Sequence, residues 1–244
     1  MRIAVTSDVH ANFVALEAVL KHAGKIDGVW NTGDCVGYGP QPRECIARMR
    51  EVGATWVAGN HERAATGAIS TDDFNAQAAE AAQWTSGQLR ADEKAFLDAL
   101  LEMAIEGEFT LVHGTLRWPI WEYLFDTDAA LGHLALQQTR FGIVGHTHVP
   151  MVVIEDSAAP EGCRLHKLAD GQSVDLDQGK RLVLNPGSVG QPRDGDPRAS
   201  YGLYDSEAQT FTLNRVEYDI TETQKLMAGE GLPLWLIQRL SSGQ

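Results

Sequence analysis

Residues 2–10 read Arg2-Ile3-Ala4-Val5-Thr6-Ser7-Asp8-Val9-His10, an apolar run that ends abruptly in an aspartate and a histidine. The first six have the length and apolar content of a buried strand. Residues 13–22 follow with helical periodicity, and Asn12 stands where an N-cap belongs. Residues 28–32 read as a second strand, 42–52 as a second helix and 55–58 as a third strand. This βαβαβ rhythm predicts a parallel sheet with helices on its faces.

Further along, residues 72–90 and 92–105 read as two alanine-rich helices, opened by Asp72 and Asp92 as capping residues. Strands are expected at 109–113 and 141–144, with a helix over 128–138 between them. From about residue 149 the texture changes. Strands at 151–154, 181–184, 201–204 and 210–216 are separated by turns without helices, which predicts a second, more antiparallel sheet. The polar stretch 157–180 is most simply a hairpin excursion or a surface loop, and 221–239 is helical with a break at Pro233. No repeat or long linker intervenes, so residues 1–244 are expected to form a single two-sheet domain.

A chain of 244 residues buries about 70% of its unfolded surface on folding, enough for a full core. Twenty basic against 33 acidic side chains give a net charge of −13. That balance opposes extended contact with phosphate backbones, so long nucleic acid is not an expected partner. No apolar run approaches the roughly 20 residues of a membrane span, and Met1 leads straight into a strand without a signal-peptide pattern. Cys35, Cys45 and Cys163 are odd in number, widely spaced and form no CxxC pair, which fits a reducing cytoplasm better than a disulfide framework and rules against a zinc finger.

Chemistry gathers at the ends of the apolar runs, where an α/β sheet places its ligand sites. Asp8 and His10 follow the first strand, Asp34 the second, Asn60 and His61 the third, His113 the fourth, and His146 with His148 the fifth. Residues i and i+2 on extended chain point the same way, so Asp8 with His10, and His146 with His148, can each aim two donors at one point. Imidazole nitrogens with carboxylate or amide oxygens and no thiolate suit manganese, iron, cobalt, zinc or nickel. Seven such ligands exceed what one four-coordinate ion needs. If Asp34 bridges, two ions receive four protein ligands each.

These residues resemble the calcineurin-like metallophosphoesterases, whose pattern runs DxH, GDxx, GNH(D/E), an isolated His, then GHxH. Here the blocks are Asp8-Val9-His10, Gly33-Asp34, Gly59-Asn60-His61-Glu62, His113 and Gly145-His146-Thr147-His148, in order over residues 8–148. The run Asn185-Pro186-Gly187-Ser188-Val189-Gly190 looks like the bacterial and archaeal phosphodiesterase branch. The resemblance implies a four-layer α/β/β/α sandwich with two packed mixed sheets. It places Asp8, His10, Asp34 and His148 on a first metal, and Asp34, Asn60, His113 and His146 on a second. The implied activity is hydrolysis of a small, nucleotide-like phosphodiester or phosphomonoester by a hydroxide bridging two divalent transition-metal ions, manganese foremost. His61, next to ligand Asn60, is expected to point at the substrate as a cation that stabilises the transition state or protonates the leaving oxygen.

The second block departs from the GDxVDRG of protein Ser/Thr phosphatases, reading Gly33-Asp34-Cys35-Val36-Gly37-Tyr38-Gly39. The carboxylate that would orient His61 is missing, and so is a phosphate-clamping arginine. Asn12 and Arg193 are the candidate substrate-binding residues. Capping the first helix is the alternative for Asn12, and a surface turn for Arg193. The aromatic-dense residues 116–125 either cover the site and stack a nucleobase, or pack in the core or a dimer contact; a homo-oligomer is allowed. His22, His133 and His166 fit no block. Two alternative functions share these motifs: a nuclease or dinucleoside-polyphosphate hydrolase with the same metal centre, and a protein-binding scaffold of the same fold.

Overall fold

A computed structural model describes residues 1–244. The expected rhythm opens it: β1 (Arg2–Thr6), α1 (Phe13–Ala23), β2 (Gly28–Asn31), α2 (Pro42–Glu51) and a short β3 (Thr55–Trp56). Three helices follow, α3 (Asn60–Thr66), α4 (Ala76–Gln88) and α5 (Ala91–Asp98), then strands β4 (Met103–Glu106) and β5 (Phe109–Val112). Helix α6 (Thr127–Leu136) precedes β6 (Phe141–Ile143), β7 (Met151–Glu155), β8 (Cys163–Lys167), β9 (Ser173–Asp175) and β10 (Leu182–Asn185). The chain closes with β11 (Ala199–Asp205), β12 (Thr210–Val216), α7 (Ile220–Gly229) and α8 (Leu234–Arg239).

The strands form two six-stranded sheets, ordered β3-β2-β1-β11-β12-β9 and β4-β5-β6-β10-β7-β8. Both are mixed. β1, β2 and β3 run parallel in the first, β5, β6 and β10 in the second, and the remaining pairings are antiparallel. Between the sheets lies a core that includes Ile3 and Val5 of β1, Phe109 and Leu111 of β5, Leu182 and Leu184 of β10, and Phe211 and Leu213 of β12. The alternate residue Ala4 turns instead toward Leu16, Val19, Ile46 and Met49 of α1 and α2. Val112 and Val183 likewise turn toward Ala130 and Leu134 of α6. Strands buried on both faces explain why the sequence shows continuous apolar runs rather than alternation. The result is the expected α/β/β/α layering.

Four local expectations are corrected. The alanine-rich helix expected over 92–105 stops at Asp98, and Met103–Glu106 is an edge strand. Gly107, at φ +60°, turns the chain into a hairpin with β5. Helix α4 starts at Ala76, capped by Asn75 rather than Asp72, and α5 is entered from Arg90, leaving Asp92 inside its first turn. The stretch 157–180 is no simple excursion: β8 extends the second sheet and β9 extends the first. The late strands therefore split between both sheets instead of building a new one. Long-range pairing decides this, and no local pattern reports it.

His133 of α6, one of the histidines outside the motif blocks, is fully buried and accepts a hydrogen bond at Nδ1 from Leu116 N. Burial pulls its pKa from 6.5 down to about 4, with Gln137 and Glu122 opposing only in part. The unfolded chain takes up this proton below its ordinary value and the fold does so only near the lowered one, so stability falls as pH drops through that window. His133→Gln keeps an acceptor for Leu116 N and removes the titration. The wild type is expected to lose about 1.4 kcal/mol per pH unit more than the variant between those values, as read from urea unfolding at stepped pH. Parallel profiles would reject this account.

Candidate metal centre

The seven expected ligands come together at the carboxyl ends of the parallel strands, in loops that follow β1, β2, β5 and β6 and at the start of α3. All seven are buried. Asp8, His10 and His148 form one group of converging donors, and Asp34, His113 and His146 another. The geometry behind this differs from the extended chain expected. Asp8, His10, Asp34, His146 and His148 all have left-handed backbone, with φ of 52°, 48°, 53°, 64° and 59°. Such residues are uncommon outside glycine and carry about 1–3 kcal/mol of strain each, retained where the surroundings over-determine them.

Each carboxylate is pinned through one oxygen and presents the other. Asp8 Oδ2 accepts from Ser7 Oγ at 2.6 Å and from His146 N at 3.1 Å, while Oδ1 has no hydrogen-bond partner and lies 3.2 Å from His148 Nε2. Asp34 Oδ1 accepts from His61 N at 2.9 Å, and Oδ2 stands 3.2 Å from His113 Nε2 and 3.9 Å from His10 Nε2.

The imidazoles are fixed in the same manner. Nδ1 of His10, His113 and His148 donates to the carbonyls of Val36, Thr32 and Gln191, and Nε2 of His146 donates to Trp121 O. Every remote N–H is thus anchored to backbone, which leaves the inner nitrogen as a lone-pair donor. Those inner nitrogens face one another, His10 Nε2 to His148 Nε2 at 3.1 Å and His113 Nε2 to His146 Nδ1 at 3.0 Å. Asn60 Oδ1 is also buried without a partner. Lone pairs converging on lone pairs, beside an orphaned carboxylate and amide oxygen, need cations between them. The donor set fits divalent metal.

The titration behaviour tells the same story. Burial alone would raise Asp8, but the neighbouring His148, with His113 and Ser7, outweighs it and brings the carboxyl to about 2. Burial would lower His113, yet Asp34 and Asp8 hold it at about 9. The carboxylates that hold a proton on His113 would equally hold a cation, and His113 must give up that proton for its inner nitrogen to serve as a ligand.

Glu62 is a functional residue that the sequence reading passed over. Fully buried, its carboxylate accepts from the backbone N–H groups of Asp34, Cys35 and Val36 at 2.8, 2.7 and 3.3 Å and from Gly59 N at 2.8 Å. It ties the Asp34 loop to the start of α3. The run from Asn185 to Gly190 does similar work elsewhere: Ser188 Oγ donates to Asp8 O, and Asn185 Nδ2 donates to Gly145 O and Thr147 Oγ1.

His61 sits in the first turn of α3, not on extended chain. Its ring packs against Tyr38 at 4.4 Å, His10 at 4.9 Å and Phe74 at 5.0 Å. In place of an orienting carboxylate stands Gly37, at φ +87°, where an added Cβ would lie 2.2 Å from His61 Nδ1. Aromatic packing over a bare glycine therefore orients this histidine. Burial, opposed by Asp34 and reinforced by Arg193, lowers it to about 4, so the ring is neutral near pH 7 rather than the expected cation.

Arg193 is half-buried and reaches the site. Its backbone N–H donates to His148 O, its guanidinium donates to Gln191 Oε1 and stands 5.8 Å from the Tyr38 ring, and no carboxylate pairs with it. Asn12 is otherwise engaged. Its amide oxygen caps α1 through Ala15 N and accepts from Thr223 Oγ1, and its amide nitrogen donates to Gly190 O. The capping alternative describes it. Residues 116–125 divide, with Ile120 and Leu124 buried while Trp121 and Tyr123 line a cavity beside the cluster.

Two packed mixed sheets carrying a histidine–carboxylate cluster on their strand ends define a metal-dependent phosphoester hydrolase. The comparisons make the family explicit: the chain belongs to the calcineurin-like phosphoesterase superfamily, whose domain model matches residues 1–209. A metallophosphoesterase structure from Sphaerobacter thermophilus is 46% identical, covers 100% of this chain and 99% of its own, and superposes with a TM-score of 0.91. An uncharacterized protein of Methanocaldococcus jannaschii is 39% identical over 99% of this chain and 98% of its own. A hypothetical protein from Pyrococcus horikoshii OT3, at 19% identity, shares the fold with a TM-score of 0.79 over 100% of this chain and 98% of its own.

Proposed function

We propose that the cluster holds two divalent transition-metal ions, manganese by preference, and that the protein hydrolyses a small, nucleotide-like phosphodiester or phosphomonoester. On this reading Asp8, His10, Asp34 and His148 hold one ion, and Asp34, Asn60, His113 and His146 the other. The observation that carries it is the free oxygen of Asp34, which stands between the imidazoles of His113 and His10. When bound, the ions supply charge neutralisation at the phosphoryl group and an acidified water. The substrate's remaining contacts fall to side chains. Arg193, an unpaired guanidinium in a chain of charge −13, binds a phosphoryl oxygen pair. His61, neutral and packed in place, donates a hydrogen bond from its N–H to the leaving oxygen as charge develops there.

The test strips the protein with a chelator, restores Mn²⁺, and measures ions bound per chain together with hydrolysis of an aryl phosphodiester and an aryl phosphomonoester. Two ions and turnover are expected. Saturation at one ion overturns the paired centre, and no turnover with any divalent ion overturns the assignment of this site. His61→Ala is expected to lower kcat by about 10²–10³-fold, the range of one lost hydrogen-bond donor to a developing charge, with metal content unchanged. A cytoplasmic setting is supported by three buried, unpaired cysteines, and no helix is long and apolar enough to cross a membrane.

A further inference from the structure

A cavity of about 200 Å³ opens on the cluster, floored by Asn60, His61 and His146. Its walls are rings. Phe74 stands perpendicular to Trp121 at 5.8 Å, and Tyr123 lies flat against His146 at 3.9 Å and 11°. Trp121 and Tyr123 keep 37% and 43% of their surface exposed. Burial in the core would return about 25 cal/mol for each Å² of that apolar face. Tyr123 is already stacked on His146 and, at 5.4 Å and 16°, with Phe125, so the ring left wet at the mouth of this polar site as a platform for a flat partner is Trp121.

Size and rim chemistry narrow the partner. Pockets that take a whole drug-sized ligand run to about 300–1,000 Å³, so this smaller space suits one planar ring system while the phosphoryl group stays outside it, at the cluster. Asp73 and Asn75 also line the cavity, both exposed at its rim. The Asn75 side-chain oxygen is engaged in capping α4 through Ala78 N, which leaves its amide N–H groups to donate. Asp73 can only accept. A rim that offers a donor and an acceptor matches the edge of a heteroaromatic base, whereas a plain hydrocarbon ring would leave both unmet. The charges set the direction of binding: unpaired Arg193 beyond Tyr38 draws the phosphoryl end, and Asp73 repels it.

We infer that this cavity is a nucleobase subsite, in which Trp121 stacks on the base beside Phe74 and Tyr123, and Asp73 accepts from its N–H groups, so that the substrate is a nucleoside phosphate. The inference rests on the phosphoesterase reading of the metal cluster, and the experiment separates the two. AMP and ribose 5-phosphate carry the same ester and differ in the base. One aromatic stack corresponds to about five- to hundredfold in kcat/KM in favour of AMP. Trp121→Ala is expected to erase most of that preference and Trp121→Phe to restore it, because both keep the backbone carbonyl that anchors His146. Saturation-transfer NMR on the metal-free protein gives a second reading without turnover. The base protons of AMP should receive more saturation than the ribose protons, and lose that excess in Trp121→Ala. Equal turnover of both esters overturns the base subsite and leaves the hydrolase intact. If neither ester is hydrolysed under any divalent ion, the NMR decides alone: saturation spread evenly over AMP, or unchanged in Trp121→Ala, overturns the subsite.

Discussion

Asp34→Asn is expected to reduce kcat/KM by three orders of magnitude or more and to leave fewer than two ions bound per chain. Asparagine keeps an oxygen for the hydrogen bond from His61 N, so the loop between β2 and α2 retains its anchor. What goes is the charge on the oxygen that faces His113 and His10. A Lewis-acid ion contributes several kcal/mol at the transition state, and about 1.4 kcal/mol is tenfold in rate, which sets the size of the loss. The effect has a thermal counterpart. Metal at about a thousand times its Kd stabilises the fold by about 4 kcal/mol, or about 10 °C in Tm for a chain of this size. The wild type should show that shift on adding Mn²⁺ and the variant should lack most of it. A variant that still binds two ions and turns over normally would sink the shared-carboxylate reading.

The parts of this site legible in the sequence are those that depend on chain order alone. A strand that ends in Asp8 and His10, and the same event at Asp34, His113 and His146, can be read from apolar runs and their punctuation, because a parallel sheet delivers its strand ends to one edge. How the donors converge is another matter. The left-handed backbone at Asp8, His10, Asp34, His146 and His148 is imposed by surrounding contacts, among them the hydrogen bond from Ser188 to Asp8 O, 180 residues away. The extended geometry assumed for those pairs is a local inference, and tertiary contacts override it. The same limit explains why β4 reads as helix and why 157–180 looks like a loop: edge strands owe their structure to partners distant in sequence. His61 shows the reverse case. Its lack of an orienting carboxylate is visible in Gly37-Tyr38, but that glycine makes room for the ring and tyrosine packs it is visible only in three dimensions.

Glu62→Ala is expected to dismantle the site and much of the fold's stability together. Glu62 sits in the GNH(D/E) block, yet a carboxylate one residue after His61 offers no local sign that it accepts from four backbone N–H groups on two separate loops. Burial, with Asp34 adding to it, pushes this carboxyl up to about 7, against the lowering effect of those donors. Its work is to satisfy N–H groups that have no water to turn to. Each buried donor left unpaired costs about 1–3 kcal/mol, and four of them approach the 5–15 kcal/mol (about) that a whole domain has in reserve. Alanine should therefore yield a protein that unfolds at much lower urea and binds neither ion. Glu62→Gln tests the cause, since it keeps one acceptor oxygen, sets an NH₂ against the remaining donors, and should fall between alanine and wild type in both urea midpoint and metal content. If glutamine behaves like wild type in both measurements, the carboxylate is dispensable and the Asp34 loop is held by something else.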